Sequence, residues 1–160
     1  MVSRRHVAGV FDALYQGLAA QSRRVSDDGV AVRLFVASRV MGDLALAARG
    51  AGDVAPDPLV AAALEHAGLE DSTGVFTLYV FTMVLAPRLL VSVRDARDGD
   101  VDPEFDALLA RAATEIVGQI GAVSDLLRRR TPDEIEWAEA ARAIVDTLES
   151  AGYSDHLGPR

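Results

Sequence analysis

GVFTLYVFTMVLAPRLLVSV, residues 74–93, is the stretch of the sequence that decides the fold. It is apolar almost all the way round, and Arg88 is its one charged residue. A helix without a polar face has to be surrounded on every side, so the stretch predicts the buried central helix of a bundle, over about residues 73–97. Pro87 lies inside the run and has no N–H to donate to the carbonyl of Met83, which predicts a kink in this helix.

The same stretch is close to the length of a helix that spans a membrane. Two of its residues argue against insertion into lipid. A centrally placed arginine such as Arg88 costs about 2.5–3.5 kcal/mol on the scale measured for membrane insertion. Pro87 adds a second penalty, and the segments on either side carry charged faces as a soluble bundle requires. We therefore expect a core helix and no membrane partner.

Five further segments repeat apolar residues at helical spacing and carry polar residues between the repeats. Four are long and a fifth, which begins at Pro58, is short; the long ones cover about residues 3–24, 27–49, 103–130 and 132–151. In no segment do apolar and polar residues alternate with the two-residue period of a β-strand. The sequence predicts an all-α, single-domain helical bundle of about five long helices plus one short helix. Residues 1–153 form the predicted domain and residues 154–160 a flexible C-terminal tail.

The predicted helix starts carry recognisable caps. Asp57-Pro58 and Asp102-Pro103 each place an acceptor at the N-cap and proline at the first helical position. Ser26 to Asp28 supplies N-cap candidates for the second helix. Thr131 to Glu134 has the pattern of a capping box with proline at the first helical position.

Composition excludes several classes of function. The chain of 160 residues has no cysteine, so disulfides, thiolate metal sites and cysteine nucleophiles are excluded. Its net charge of −8 argues against nucleic acid as a partner, because that affinity rests on neutralising phosphates. The N-terminal residues lack the long apolar run of a secretory signal. An acidic, cytoplasmic protein is the resulting expectation.

Catalytic and metal-binding motifs are absent from the sequence. The three histidines, His6, His66 and His156, stand alone, without the spacing that places two ligands on one helix face. No glycine-rich phosphate loop follows a strand, and no serine lies in a nucleophile elbow. We therefore expect no metal, no cofactor and no catalytic residue.

Polar residues inside apolar helices are the candidate site residues. Thr77, Arg88 and Ser92 fall on one side of the central helix, since residues 77 and 88 are about three turns apart. Tyr79 and Met83 are candidates to face a pocket on this helix. Two further pairs are spaced four residues apart, Arg39 with Asp43 and Glu115 with Gln119.

A buried arginine needs a carboxylate, because an unpaired buried charge costs several kcal/mol. Asp43 and Glu115 are the predicted partners of Arg88. These groups form a structural ion pair, face water or a second subunit, or line a pocket between helices where Arg88 binds a small anionic group.

Three functional hypotheses follow. The first is a non-enzymatic helical bundle that acts through protein–protein interaction, as a homodimer or with a partner protein, using apolar positions on the first or fifth helix such as Val117. The second is a small-molecule-binding sensor or regulator with a pocket near Arg88 for an anionic or apolar ligand. The layout is similar to the ligand-binding domains of small bacterial transcriptional regulators, in architecture only. The third is an enzyme that uses Arg88 with Glu115 or Asp43; we favour a non-enzyme.

Overall fold

The computed structural model describes residues 3–50, 52–99, 101–130 and 134–158, which contain helices and no strand. The prediction of an all-α, single-domain bundle is confirmed. Six helices occur in these ranges: α1 (Arg4–Ser22), α2 (Asp28–Arg49), α3 (Pro58–Glu70), α4 (Val75–Arg97), α5 (Pro103–Arg130) and α6 (Glu134–Ser150).

Aspartates begin three of the helices as predicted. Asp27, Asp57 and Asp102 each accept hydrogen bonds, through a side-chain oxygen, from backbone N–H groups in the first turn of α2, α3 and α5. These acceptors satisfy N–H groups that have no partner inside a helix. The capping box predicted from Thr131 to Glu134 falls mostly on residues 131–133, outside the described part of the chain.

The central helix α4 changes its winding partway along. It is α-helical over Val75–Tyr79, π-helical over Val80–Leu85 and α-helical again over Ala86–Arg97. The N–H of Ala86 donates to the carbonyl five residues earlier, that of Phe81. The π-helical turns thus end just before Pro87, which has no backbone N–H to donate. The predicted bend of the helix axis at Pro87 stays a prediction.

Helix α4 lies at the centre of the core and is enclosed on most sides. It packs against α3 and α5 and more narrowly against α2, and Trp137 of α6 stacks on Phe76 with ring centroids 4.9 Å apart. By length and composition alone, α4 is the one described helix that could cross a membrane, and 67% of its most apolar window is buried inside the bundle. Met83 and Pro87 mark the side that remains exposed.

The start of α4 depends on a glycine and an aspartate. Gly74 has φ +85°, in the left-handed region, and a Cβ there would lie 2.6 Å from Cγ1 of Val25. Asp71 accepts hydrogen bonds from Thr73 and from the N–H of Phe76. Partial burial alone would raise the pKa of Asp71, but these hydrogen bonds outweigh it and leave the pKa lowered. Asp71 therefore serves as the hydrogen-bond acceptor at the start of this helix.

We expect Gly74→Ala to lower the free energy of unfolding by at least about 2 kcal/mol, because it combines a strained backbone with a steric overlap. Gly118→Ala is the matched control. A Cβ at Gly118, inside α5, would have open space around it to 4 Å, so alanine should stabilise the protein by roughly 0.5–1 kcal/mol through helix propensity. Urea unfolding of both variants measures the two effects, and equal stabilities would contradict the prediction.

Candidate functional site

Helix α2 carries a line of apolar side chains that does not face the core. Val32, Phe35 and Leu46 are 58%, 54% and 61% exposed, whereas Leu34 and Met41 on the other side of the helix are fully buried. The exposed residues Arg39 and Asp43 lie on the same line, since the spacings of three, four, four and three residues follow one face of a helix. We call these five positions, Val32, Phe35, Arg39, Asp43 and Leu46, the outer face of α2.

A cleft of about 360 Å³ runs beside this face, between α1 and α2. Tyr15 of α1 borders it, and its ring rests against Gly42, where a Cβ would come within 2.8 Å of Cδ1. The charged residues that line the cleft are balanced, with Asp12 and Asp43 opposed by Arg39 and Arg49. The outer face of α2 thus continues into a cleft that is lined by both apolar and charged residues, with Asp12 and Tyr15 on its α1 side.

Arg39 and Asp43 are brought together at the surface, as their spacing predicts. Neither residue, however, forms a salt bridge or a side-chain hydrogen bond with any residue in the described ranges. Both charges therefore project into solvent from an otherwise apolar line.

Arg88 does not form the ion pair predicted with Asp43 or Glu115. Its Nε donates to the carbonyl of Tyr153 at 3.1 Å and its Nη1 to the carbonyl of Val84 at 2.8 Å. The side chain is only partly buried, so neutral carbonyl acceptors are enough and no carboxylate is required. The prediction also depends on a uniform helix, whereas the π-helical turns of α4 take more than 3.6 residues each and shift the side on which Arg88 emerges.

The remaining predicted site residues are dispersed. Thr77 is fully buried, and its hydroxyl has no hydrogen-bond partner among the described residues. Tyr79 is partly buried beside Phe76, with ring centroids 6.4 Å apart, while Met83 is exposed. Glu115 and Gln119 are partly buried on α5. None of these five lines the cleft between α1 and α2 or the second cleft, of about 360 Å³, beside His6.

The C-terminal segment departs from the predicted flexible tail. Residues 156–158 are buried, and the backbone N–H of Leu157 donates to Oγ of Ser92 at 2.7 Å. The hydroxyl of Ser92 in turn donates to the carbonyl of Leu157 at 3.0 Å. Together with Arg88 on Tyr153, these bonds hold residues 153–158 against α4; residues 159–160 lie outside the described ranges.

Sequence reasoning missed a buried polar cluster beneath this segment. The hydroxyl of Tyr153 donates to Oδ2 of Asp57 at 2.8 Å, and Nε2 of His6 lies 3.9 Å from the same oxygen. Oδ1 of Asp57 is already used to cap α3. We call Asp57, Arg88, Ser92, Tyr153 and Leu157 the C-terminal clasp. Both carboxylate oxygens of Asp57 therefore serve the fold.

The environment of Tyr153 keeps its phenol protonated. Burial raises the pKa of Tyr153 well above its usual value, and the hydrogen bond to Asp57 raises the pKa further. Both effects favour the neutral form that can donate to the carboxylate.

No protein-family model, curated protein or solved structure matches this chain. Within the described residues no group of three or more histidine and acidic side chains is placed to hold a metal ion. The candidate site therefore rests on the geometry alone.

We expect Tyr153→Phe to reduce the free energy of unfolding by about 1.5–3 kcal/mol, because it removes a hydrogen bond to a buried carboxylate. Amide hydrogen exchange at Leu157 should become faster as the clasp opens. Ser154→Ala is the control, since Ser154 is exposed and bonds to no described residue, and its effect should stay within about 0.5 kcal/mol. Unchanged exchange at Leu157 in Tyr153→Phe would show that the clasp does not depend on this bond.

The raised pKa of Tyr153 also predicts a loss of stability in alkali. The unfolded chain releases the phenolic proton at a pH of about 10, whereas the folded protein retains it, so the stabilisation is complete below that pH and declines above it. We expect the free energy of unfolding to fall more steeply above pH 10 in the natural protein than in Tyr153→Phe. Parallel slopes in the two proteins would contradict this.

Proposed function

We propose that this protein acts through protein–protein contact, in the first place as a homodimer, and that the outer face of α2 is the interface. The single observation behind the proposal is that α2 is apolar on two opposite sides. One side is committed to the core through residues such as Leu34 and Met41. The second side exposes Val32, Phe35 and Leu46 to water in the isolated chain.

The arrangement of the exposed apolar residues distinguishes this face from the rest of the surface. Leu69, Met83 and Val117 are also exposed, but they belong to three different helices, and single exposed apolar residues are ordinary in soluble proteins. On α2 three large side chains share one line, with Tyr15 adjoining. Burying such surface gains about 25 cal/mol per Å², which favours association through this line.

The proposed interface differs in position from the one expected from the sequence, which favoured α1 or α5. Val117 on α5 is 52% exposed, but Gly118 and Gly121 beside it present little side chain to a partner. Tyr15 of α1 contributes only at the border of the cleft. Helix α2 offers the larger side chains.

The alternative hypotheses draw less support from the geometry. A small anionic ligand at Arg88 would compete with the carbonyls of Tyr153 and Val84, which already occupy two donors of the guanidinium. An enzyme built on Arg88 with Asp43 or Glu115 would need these side chains in one site, and Asp43 lies on the exposed surface of α2 instead.

We expect sedimentation equilibrium to show a dimer of the natural protein, and Phe35→Asp to raise its dissociation constant at least about 30-fold. A charge placed among the apolar side chains that an interface buries has no compensating partner. Val117→Asp is the matched control: it introduces the same charge at an equally exposed apolar position of α5 and should leave the dissociation constant unchanged.

Circular dichroism and thermal unfolding of both variants verify that the fold is retained. A protein that stays monomeric at all concentrations, or a dimer that survives Phe35→Asp but not Val117→Asp, would overturn the proposal.

A further inference from the structure

We infer that two copies of the protein pair through antiparallel α2 helices about a twofold axis, with Arg39 of each copy opposite Asp43 of the other. The inference rests on the proposed function and adds the partner's orientation and register. Its basis is the order of residues along the outer face of α2.

Four of the five positions on the outer face of α2, from Phe35 to Leu46, are nearly symmetric about Met41, and Val32 lies beyond them. Met41 lies halfway between Arg39 and Asp43 in the sequence, and Phe35 and Leu46 lie six and five residues to either side of it. A twofold interface presents the same patch from both copies, so two antiparallel helices oppose residues that are equidistant from the axis. An axis beside Met41 therefore brings Phe35 of one copy onto Leu46 of the other.

The charges select this orientation over a parallel one. In parallel helices Arg39 would face Arg39 and Asp43 would face Asp43, and like charges directly opposite cost several kcal/mol. In antiparallel helices each arginine faces an aspartate. Because neither residue has a salt bridge within the described part of its own chain, both are free to make these contacts.

The surroundings of the face also suit a second copy of this chain. The net charge of −8 makes two copies repel each other as whole molecules. At the interface the repulsion is removed locally, because Asp12 and Asp43 in the adjoining cleft balance Arg39 and Arg49. A strongly basic partner would find no acidic excess here.

Near the centre of the proposed pair, Tyr15 of α1 packs closely against α2. Gly42, one residue from Met41, has no side chain, and the ring of Tyr15 packs against it. Aromatic side chains near the middle of an interface contribute much of the binding free energy. Tyr15 thus adjoins the centre of the proposed pair from the border of the cleft.

Charge reversal tests the register. Arg39→Asp and Asp43→Arg should each raise the dimer dissociation constant at least about tenfold, since each turns two attractive contacts into repulsive ones. An equimolar mixture of the two variants should form heterodimers nearly as tightly as the natural protein. Mixing restores the attractive contacts between the two chains but leaves the like charges within each α2 helix unchanged. Recovery of affinity in the mixture therefore reports on the contacts between chains. Arg111→Asp on the exposed side of α5 is the control and should change nothing.

Cysteine cross-linking tests the orientation, and the natural chain has no cysteine to interfere. Val32→Cys and Arg49→Cys lie towards the two ends of α2 and leave Phe35 and Leu46 in place. A short bis-maleimide should link the two variants when they are mixed. It should not link either variant to itself, because like positions in the antiparallel pair are roughly 24–27 Å apart.

The outcomes separate this inference from the proposed function. A dimer that is abolished by Phe35→Asp but is insensitive to charge reversal, or whose Val32→Cys variant cross-links to itself, would refute the antiparallel register and leave the interface in place. A natural protein that stays monomeric would overturn both.

Discussion

The enclosure of α4 is the constraint on which the rest of the structure depends. Its sequence offers no polar side, so other helices have to cover it, and α3, α5 and α2 pack around it with Trp137 of α6. Met83 and Pro87 are among the residues of α4 that remain exposed. The C-terminal segment then adds to the cover, because Arg88 and Ser92 of α4 hold residues 153–158 in place.

Local features of this architecture could be predicted, because they depend on residues close in sequence. Asp27, Asp57 and Asp102 cap helices a few residues away, and the apolar spacing that defines each helix repeats within one or two turns. The partner of Arg88 could not be predicted: its carbonyl acceptor on Tyr153 is 65 residues away, and the π-helical turns before Pro87 alter the direction of the side chain. The bond from Tyr153 to Asp57 spans 96 residues, beyond any local pattern.

The outer face of α2 shows a second limit of prediction from sequence. Phe35 widens the apolar stripe of α2, but periodicity does not say which side of a helix that is apolar nearly all round will face the core. The structure decides this: Leu34 and Met41 are fully buried, whereas Phe35 is 54% exposed. The four-residue spacing of Arg39 and Asp43 places them on one face of α2. The structure adds that this face is the exposed one.

Two sets of polar residues in this protein differ in what surrounds them. In the clasp, Asp57 uses both carboxylate oxygens within the chain, as a buried charge must. Arg39 and Asp43 remain hydrated, and by itself an unpaired surface charge costs nothing. They lie between Phe35 and Leu46, where association would bury apolar surface. Association would also bury both charges without a partner unless the second molecule supplied opposite charges. A second copy in the proposed antiparallel register would supply them, so the same arrangement would meet both the apolar and the electrostatic requirements of this face.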